Sequence, residues 1–398
     1  MYASVHTDRS GRVFVSSDRA AAGMGGVSAS EIGAAIPLPA GSQLVPLERE
    51  AAALDRGGRM RPLGRGRLAL AALLPPGHTR LLFPAYRDDP SSAPLAPLPY
   101  VAVAADPSGE LVAAATATGR TDERSADAPS GIAAMRERPA NALARQLARC
   151  ARDHDCRAAR MGLGRGDLPI PLGAPLAERP RAPVQLRSGY AGSPTEHAAF
   201  RPTAAEIGEV ALDHIARGGT GIAFGRACDG EPLARISVLD AAIRAVRAYA
   251  PRARIHLETS GSDPVALRRA LDAGLTSVTV RVGSALSDTY ETLHGPTAHR
   301  WSDVRVCLQA AAEHGGAITI ALLVLPGLTD RPAEIDATLE LLGELPGGRL
   351  ELRDLGADPL RALAVFPHAR PLGIRALLGR VAEADHFALR TGEEMAAV

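Results

Sequence analysis

The apolar and polar positions follow two different patterns along this chain. Up to about residue 128, short apolar or alternating runs are broken every few residues by Pro and Gly. Arg12–Val15, Gln43–Leu47, Leu68–Leu74, Arg80–Phe83, Tyr100–Ala104 and Glu110–Ala115 are predicted strands. Asp106-Pro107-Ser108-Gly109 joins the last two and predicts a hairpin turn. This stretch shows no catalytic constellation, so residues 1–128 read as a small β-rich accessory domain. Residues 129–165 place Ala144, Leu147 and Ala151 at helical spacing and read as a helical linker. Gly162-Leu163-Gly164-Arg165-Gly166 follows a helix, whereas a dinucleotide-binding loop follows a strand, so it belongs to the linker.

From about residue 184 onward, strand and helix patterns alternate strictly, within a region 166–359 read as one barrel. Val184–Arg187 is a short strand candidate, followed by Gly221–Gly225, Arg254–Thr259, Ser277–Gly283, Ala317–Leu325 and Arg349–Leu355. Ala317–Leu325 is almost wholly apolar, as a strand covered on both faces should be. Helices are predicted between them. Thr203 and Glu206 form a capping box for the first, and Ile236, Leu239, Ile243 and Val246 stripe the second. Asp263-Pro264 opens a third that Gly274 closes. Val304, Cys307, Leu308 and Ala311 mark a fourth, and Ile335, Leu339 and Leu342 a fifth. Six strand–helix units over 166–359 fall short of a closed eightfold barrel. The prediction is an α/β fold, an open (β/α)6 partial TIM-like barrel, with 360–398 as a C-terminal helical tail.

Composition narrows the function classes. With 398 residues, 46% of them hydrophobic, the chain easily buries a core. It contains no lysine and a single asparagine, Asn141, alongside 40 Gly and 31 Pro, which indicates codon bias rather than function. A formal net charge of +1 argues against nucleic acid or an acidic membrane as partner. No apolar run approaches the ~20 residues of a membrane span, and no signal peptide is visible at the N-terminus. Four cysteines do not make a disulfide framework, so the cytoplasm is the expected location.

Candidate chemistry gathers where the predicted strands end. Gly230-Glu231-Pro232 follows the strand at 221–225, Thr259-Ser260-Gly261 closes the next, and Arg281 lies on the one after. Pro326-Gly327-Leu328-Thr329-Asp330 follows the apolar strand. Each residue also has a plain structural reading. Glu231 could cap the helix after it or pair with Arg235, and Arg281 could pair with Glu258 or Asp354. Thr329 and Asp330 could cap the helix beginning at Pro332. His214 reads as a packing residue, and His294 and His299 as solvated loop residues. Cys150 and His154 share a helix face, but Cys156 points away from it, so packing is the simpler reading for these cysteines.

This ordered set resembles the radical S-adenosylmethionine (SAM) superfamily from about Asn141 to Pro359. Gly230-Glu231-Pro232 is similar to the turn that meets the amino group of SAM, and Thr259-Ser260-Gly261 to the family's Thr-Asn-Gly. Tyr290, Pro326-Gly327-Leu328-Thr329-Asp330, Leu352-Arg353-Asp354-Leu355 and Asp358-Pro359 resemble one subgroup. The resemblance implies a SAM site at Gly230, Glu231, Pro232, Thr259, Ser260, Gly261, Arg281, Pro326 and Gly327, and a [4Fe-4S] cluster held by Cys-x3-Cys-x2-Cys. That motif is absent. Leu168-Pro169-Ile170-Pro171 resembles its lead-in, yet Leu172–Pro180 and the alternative segment Ser188–Ser193 contain no cysteine. The family's ribose-contacting position falls at Arg281, and the subgroup's asparagine at Ala321.

The expectation is therefore a cluster-free pseudoenzyme, or a protein that binds SAM or another nucleoside. One alternative is an active radical SAM enzyme whose cluster uses Cys150, Cys156 and Cys228, or cysteines in a segment missing from this sequence. Another is an ordinary barrel enzyme acting on a small anionic metabolite through Glu231, His256, Glu258 and Arg281. The expected partners are a small molecule at the barrel top and a protein at the N-terminal domain.

Overall fold

The structure is a computed structural model, and it describes residues 1–26, 28–75, 77–89, 91–118, 128–152, 159, 162–164, 166–173, 200–225, 230–295, 299–384 and 388–390. The N-terminal region contains β1 (Ala3–Thr7), β2 (Val13–Ala20), β3 (Ala22–Gly25), β4 (Ser28–Glu31), β5 (Ile36–Pro37), β6 (Gln43–Glu50) and β7 (Ala52–Leu54). It continues with β8 (Met60–Pro62), β9 (Leu68–Leu73), β10 (His78–Arg80), β11 (Phe83–Pro84), β12 (Val101–Ala105), β13 (Leu111–Ala113) and β14 (Ala115–Ala117). Nine of these strands form one antiparallel sheet, ordered β5-β13-β12-β9-β1-β2-β7-β8 with β6 also on β9. Two smaller sheets, β10-β14 and β11-β3-β4, complete the region. The predicted hairpin is present. Asp106 accepts from Ser108 N at 2.8 Å and its carbonyl from Gly109 N at 2.9 Å, and β12 pairs with β13.

Helices α1 (Ala128–Arg136) and α2 (Ala142–Arg152) are not a free-standing linker. Met135, Leu143, Leu147 and Cys150 share the main hydrophobic core with the parallel strands. Asn141 fixes the junction: its Oδ1 accepts from Ala144 N at 3.0 Å, and its Nδ2 donates to Glu206 O at 3.0 Å and to Glu209 at 2.8 Å.

The second unit winds strand and helix alternately: β15 (Asp167–Ile170), α3 (Ala204–Ala216), β16 (Gly221–Phe224), α4 (Ile236–Tyr249), β17 (Arg254–Thr259), α5 (Pro264–Ala273) and β18 (Ser277–Gly283). Helices α6 (Ser287–His294) and α7 (Trp301–Glu313) precede β19 (Ala317–Val324), and α8 (Pro332–Gly343) precedes β20 (Arg349–Asp354). Short α9 (Pro359–Leu363), then α10 (Ile374–Glu383) and β21 (Ala388–Arg390) finish the described chain. All seven strands are parallel and lie in sequence order from β15 to β21. Two expectations change. The first strand is Asp167–Ile170, while Val184–Arg187 lies outside the described residues. The tail contributes more than a helix, because β21 extends the sheet beyond β20.

Local signals explain most of these boundaries. The Thr203/Glu206 capping box is formed, with Thr203 Oγ1 accepting from Glu206 N at 3.2 Å. Asp263 caps α5, and Gly274 ends it in the left-handed conformation. Among the described residues, no helix is long and apolar enough to cross a membrane.

Candidate functional site

Period-two alternation gives the parallel sheet two unlike faces. Ile222, Phe224, Ile255, Leu257, Val278, Val280, Ile320, Leu322, Leu350 and Leu352 pack into the main core. The intervening positions are small, polar or charged: Ala223, His256, Glu258, Thr279, Arg281, Ala321, Glu351 and Arg353. On this second face Arg353 of β20 grips Glu258 of β17 through both Nη atoms, at 2.9 and 3.0 Å, and reaches Glu351 through Nε at 2.6 Å. Burial opposes the Arg353 charge, but the two carboxylates outweigh it and hold its pKa above the ordinary arginine value. His256 lies beneath Glu258, with Nδ1 2.9 Å from Ser277 Oγ.

The Gly230-Glu231-Pro232 turn lies over the ends of β16 and β17. Glu231 is buried, and both of its oxygens are engaged. Oε1 accepts from Thr259 Oγ1 at 2.5 Å and Leu233 N at 3.2 Å. Oε2 accepts from Ser260 N and Ser260 Oγ, both at 2.7 Å. The carboxylate caps the short 3-10 turn Pro232–Arg235, as the plain reading allowed, and also ties one strand-end turn to the next. It does not pair with Arg235 in any described contact. Gly225 allows the close approach: its φ is +76°, and a Cβ there would sit 1.9 Å from the carbonyl oxygen of Glu258.

Arg281 stands between two carboxylates without bonding tightly to either. Its Nη2 is 3.7 Å from Glu231 and its Nε 3.8 Å from Glu258, with a third of the side chain exposed. Among the described residues it makes no hydrogen bond. The face thus presents charges in the order Glu231, Arg281, Glu258, alternating in sign.

An aromatic and imidazole group flanks it. Tyr290 stacks on His294 at 3.9 Å, tilts against Trp301 at 5.1 Å, and its hydroxyl is 3.0 Å from His299 Nε2. Burial pushes the His294 pKa down to about 4, so it is neutral at neutral pH, and burial also lowers that of His299. These two are not free loop histidines. His214, by contrast, is a buried packing residue as expected, with Nε2 2.9 Å from Gly166 O.

Pro326 and Gly327 meet the N-terminal region instead of this cluster. Gly26 N donates to Pro326 O at 3.0 Å, and a Cβ on Gly327 would lie 2.0 Å from Gly26 Cα. Thr329 and Asp330 do not cap α8, whose N-cap is Arg331. Thr329 Oγ1 instead accepts from Leu325 N at 2.9 Å, and Asp330 accepts from Gly327 N at 2.7 Å, so both brace the turn. Asp354 pairs with Arg80 of β10 rather than with Arg281. In the sequence, Arg353 stands out only within the Leu352–Leu355 resemblance and Arg80 only as the start of a strand, with no partner for either. Arg353 carried a signal in its strand position, two residues from Glu351, while Arg80 carried none.

Among the described residues, no group of three or more His, Cys, Asp or Glu side chains could hold a metal ion. Cys150 lies in the α2 core and accepts from Gln146 Nε2 at 3.2 Å. Cys307 is fully buried in α7 and donates to Gly261 O at 3.2 Å; burial, then the charge of Glu231, pushes its thiol up to about 12. Cys156 and Cys228 lie outside the described residues.

No known family profile matches the chain, and no curated protein matches it in sequence. Solved structures do overlap it. A radical SAM methyltransferase from Sphaerobacter thermophilus is 14% identical, with a TM-score of 0.35, over 56% of this chain and 64% of that one. SuiB from Streptococcus suis bound to S-adenosylmethionine is 11% identical, with a TM-score of 0.39, over 62% and 56%. TsrM from Kitasatospora setae, a radical SAM methyltransferase with cobalamin and a [4Fe-4S] cluster bound, is 17% identical, with a TM-score of 0.34, over 46% and 34%. The chain therefore spans less than two thirds of each of these structures.

Proposed function

We propose that this chain is a cluster-free protein of the radical SAM fold type that binds a small zwitterionic or anionic nucleoside ligand, with SAM the first candidate. The observation that carries this reading is Arg281, a cation between two carboxylates with no hydrogen bond among the described residues. A guanidinium so placed has donors to offer a ligand carboxylate, and the flanking negative charges suit an adjacent ammonium. The aminoacyl end of SAM carries that pair of charges.

The reading includes an open barrel, for which the Glu258–Arg353 pair across the sheet argues. Glu258 and Arg353 lie on strands separated by β18 and β19, so a flat sheet would hold their backbones about 14 Å apart. Side chains rising from a flat sheet would not close that gap as well as those of a concave one. Glu231 acts here by positioning: it fixes the turns after β16 and β17 rather than offering an open carboxylate. The sequence lacks the Cys-x3-Cys-x2-Cys motif, and the reading does not depend on a cluster.

Calorimetry with SAM on the full-length protein tests the proposal. Arg281→Ala is expected to weaken binding by about tenfold or more, the value of one charge-assisted contact. Equal affinity in both proteins would refute the site. Iron and sulfide should remain well below stoichiometric after anaerobic reconstitution, and a four-iron cluster would overturn the cluster-free assignment.

A further inference from the structure

A second surface carries most of the positive charge of the N-terminal region. Residues 8–12 and 55–67 contain seven arginines against two aspartates, a net +5 in a chain of net +1. Antiparallel pairing brings the two segments together, since Thr7 lies opposite Leu68 and Ala51 N bonds to Arg67 O. Arg9, Arg12, Arg56, Arg59, Arg61, Arg65 and Arg67 are all exposed. The two aspartates are occupied with their own turns. Asp8 accepts from the backbone N–H groups of Ser10 and Arg12, and Asp55 from those of Gly57 and Arg59. Asp55 Oδ2 also accepts from Arg61 Nε at 3.2 Å, while Arg59, Arg65 and Arg67 make no ion pair among the described residues.

The same surface includes an unpaired sheet edge. Among the described residues, strand β8 ends the nine-stranded sheet and pairs only with β7. Arg59 O and Leu63 N bond inward to Asp55 N and Ala51 O. By antiparallel alternation Met60 and Pro62 then point their main-chain groups outward. The edge thus offers the N–H and C=O of Met60 and the C=O of Pro62, and Met60 adds an exposed apolar side chain.

We infer that this edge is a docking site for an extended acidic polypeptide segment of a partner protein. The segment would pair its main chain with β8 while its carboxylates meet Arg59, Arg61, Arg65 and Arg67. Strand addition gives affinity through main-chain bonds, and the fork of each guanidinium matches a carboxylate. A protein fits better than a nucleic acid because neither basic segment contains an aromatic residue on which a base could stack.

The test is fluorescence anisotropy of a labelled peptide alternating Glu and Thr, with the full-length protein at low and high salt. Saturable binding at low salt, weakened at high salt, is expected. The combined variant R59Q/R61Q/R65Q/R67Q should lose about tenfold or more in affinity while its thermal transition stays unchanged. A peptide with Lys in place of Glu should not bind, and alternate N-methylation of the Glu peptide should weaken it. Absence of binding, an unaffected quadruple variant, or equal binding of the N-methylated peptide would overturn the inference. Tighter binding of single-stranded RNA than of the acidic peptide would also overturn it. None of these readouts depends on the SAM reading, since the variant leaves Arg281 and Glu231 in place.

Discussion

Glu231 and Arg281 lie within 4 Å of each other yet do different work. Truncating Glu231 leaves the N–H groups of Ser260 and Leu233 and two hydroxyls without their acceptor. Glu231→Ala should therefore cost about 2–4 kcal/mol in urea denaturation, and Glu231→Gln, which keeps one acceptor, less. Arg281→Ala removes no hydrogen bond and should leave the urea midpoint nearly unchanged while losing ligand. Asp330 supplies a pH signature. Burial raises its pKa from an ordinary 3.8 to about 6, against the pull of the Gly327 N–H. A carboxyl whose folded pKa is raised stabilises the fold while protonated. That contribution is complete below about pH 4 and is lost as pH rises through 6, for a total of about 3 kcal/mol. Stability curves between pH 4 and 7 should show this slope in the native protein and lose it in Asp330→Asn.

At the scale of elements, legibility followed how local the cause was. Strands β17 and β18 fall on the residues that periodicity picked out, and the Thr203/Glu206 box and the Asp263–Gly274 helix have the predicted ends. Their signals lie within a few residues of one another. What was not legible depends on partners far along the chain. Strand β21 is three residues long and is defined by pairing with β20. The turn at Pro326-Gly327 read as a ligand contact because nothing local shows that Gly26 lies against it. Glu231 illustrates the middle case: its capping of the next turn was legible, its bonds to Thr259 and Ser260 were not. The Gly26–Gly327 contact gives an element-scale test. Gly327 has a φ of +92°, so Gly327→Val combines an unfavourable backbone conformation with collision against Gly26. A loss of about 3 kcal/mol or more is expected in denaturant melts, whereas Gly343→Ala, in open space on α8, should be neutral or stabilising.

For the whole molecule, the N-terminal region acts as a fixed cover over one part of the strand ends. Phe83, Tyr86 and Tyr100 share a core with Leu325, Leu328, Leu355 and Phe366, all beyond β19 and β20. Arg80 is the polar pin through that core. It is fully buried, donates through Nη2 to Val324 O at 2.6 Å and Leu355 O at 2.5 Å, and lies 3.8 Å from Asp354 with its guanidinium over the Phe83 ring. Burial lowers its pKa to about 10 against the favourable charge of Asp354, so it remains protonated at neutral pH. The ends of β16 to β18, with Glu231 and Arg281, lie outside this shared core. The two regions should therefore stay associated if the backbone is cut between residues 118 and 128. A protease site placed there and cleaved should yield halves that co-elute in size exclusion. Arg80→Ala leaves the Val324 and Leu355 carbonyls without their buried donor and takes the counter-charge from Asp354, which keeps only the backbone N–H of residue 80. A loss of about 3–5 kcal/mol is expected, enough to release the halves after cleavage. Co-elution that persists in Arg80→Ala would show that the apolar contact alone holds the cover, and separation of the unmodified halves would show that the covalent link does.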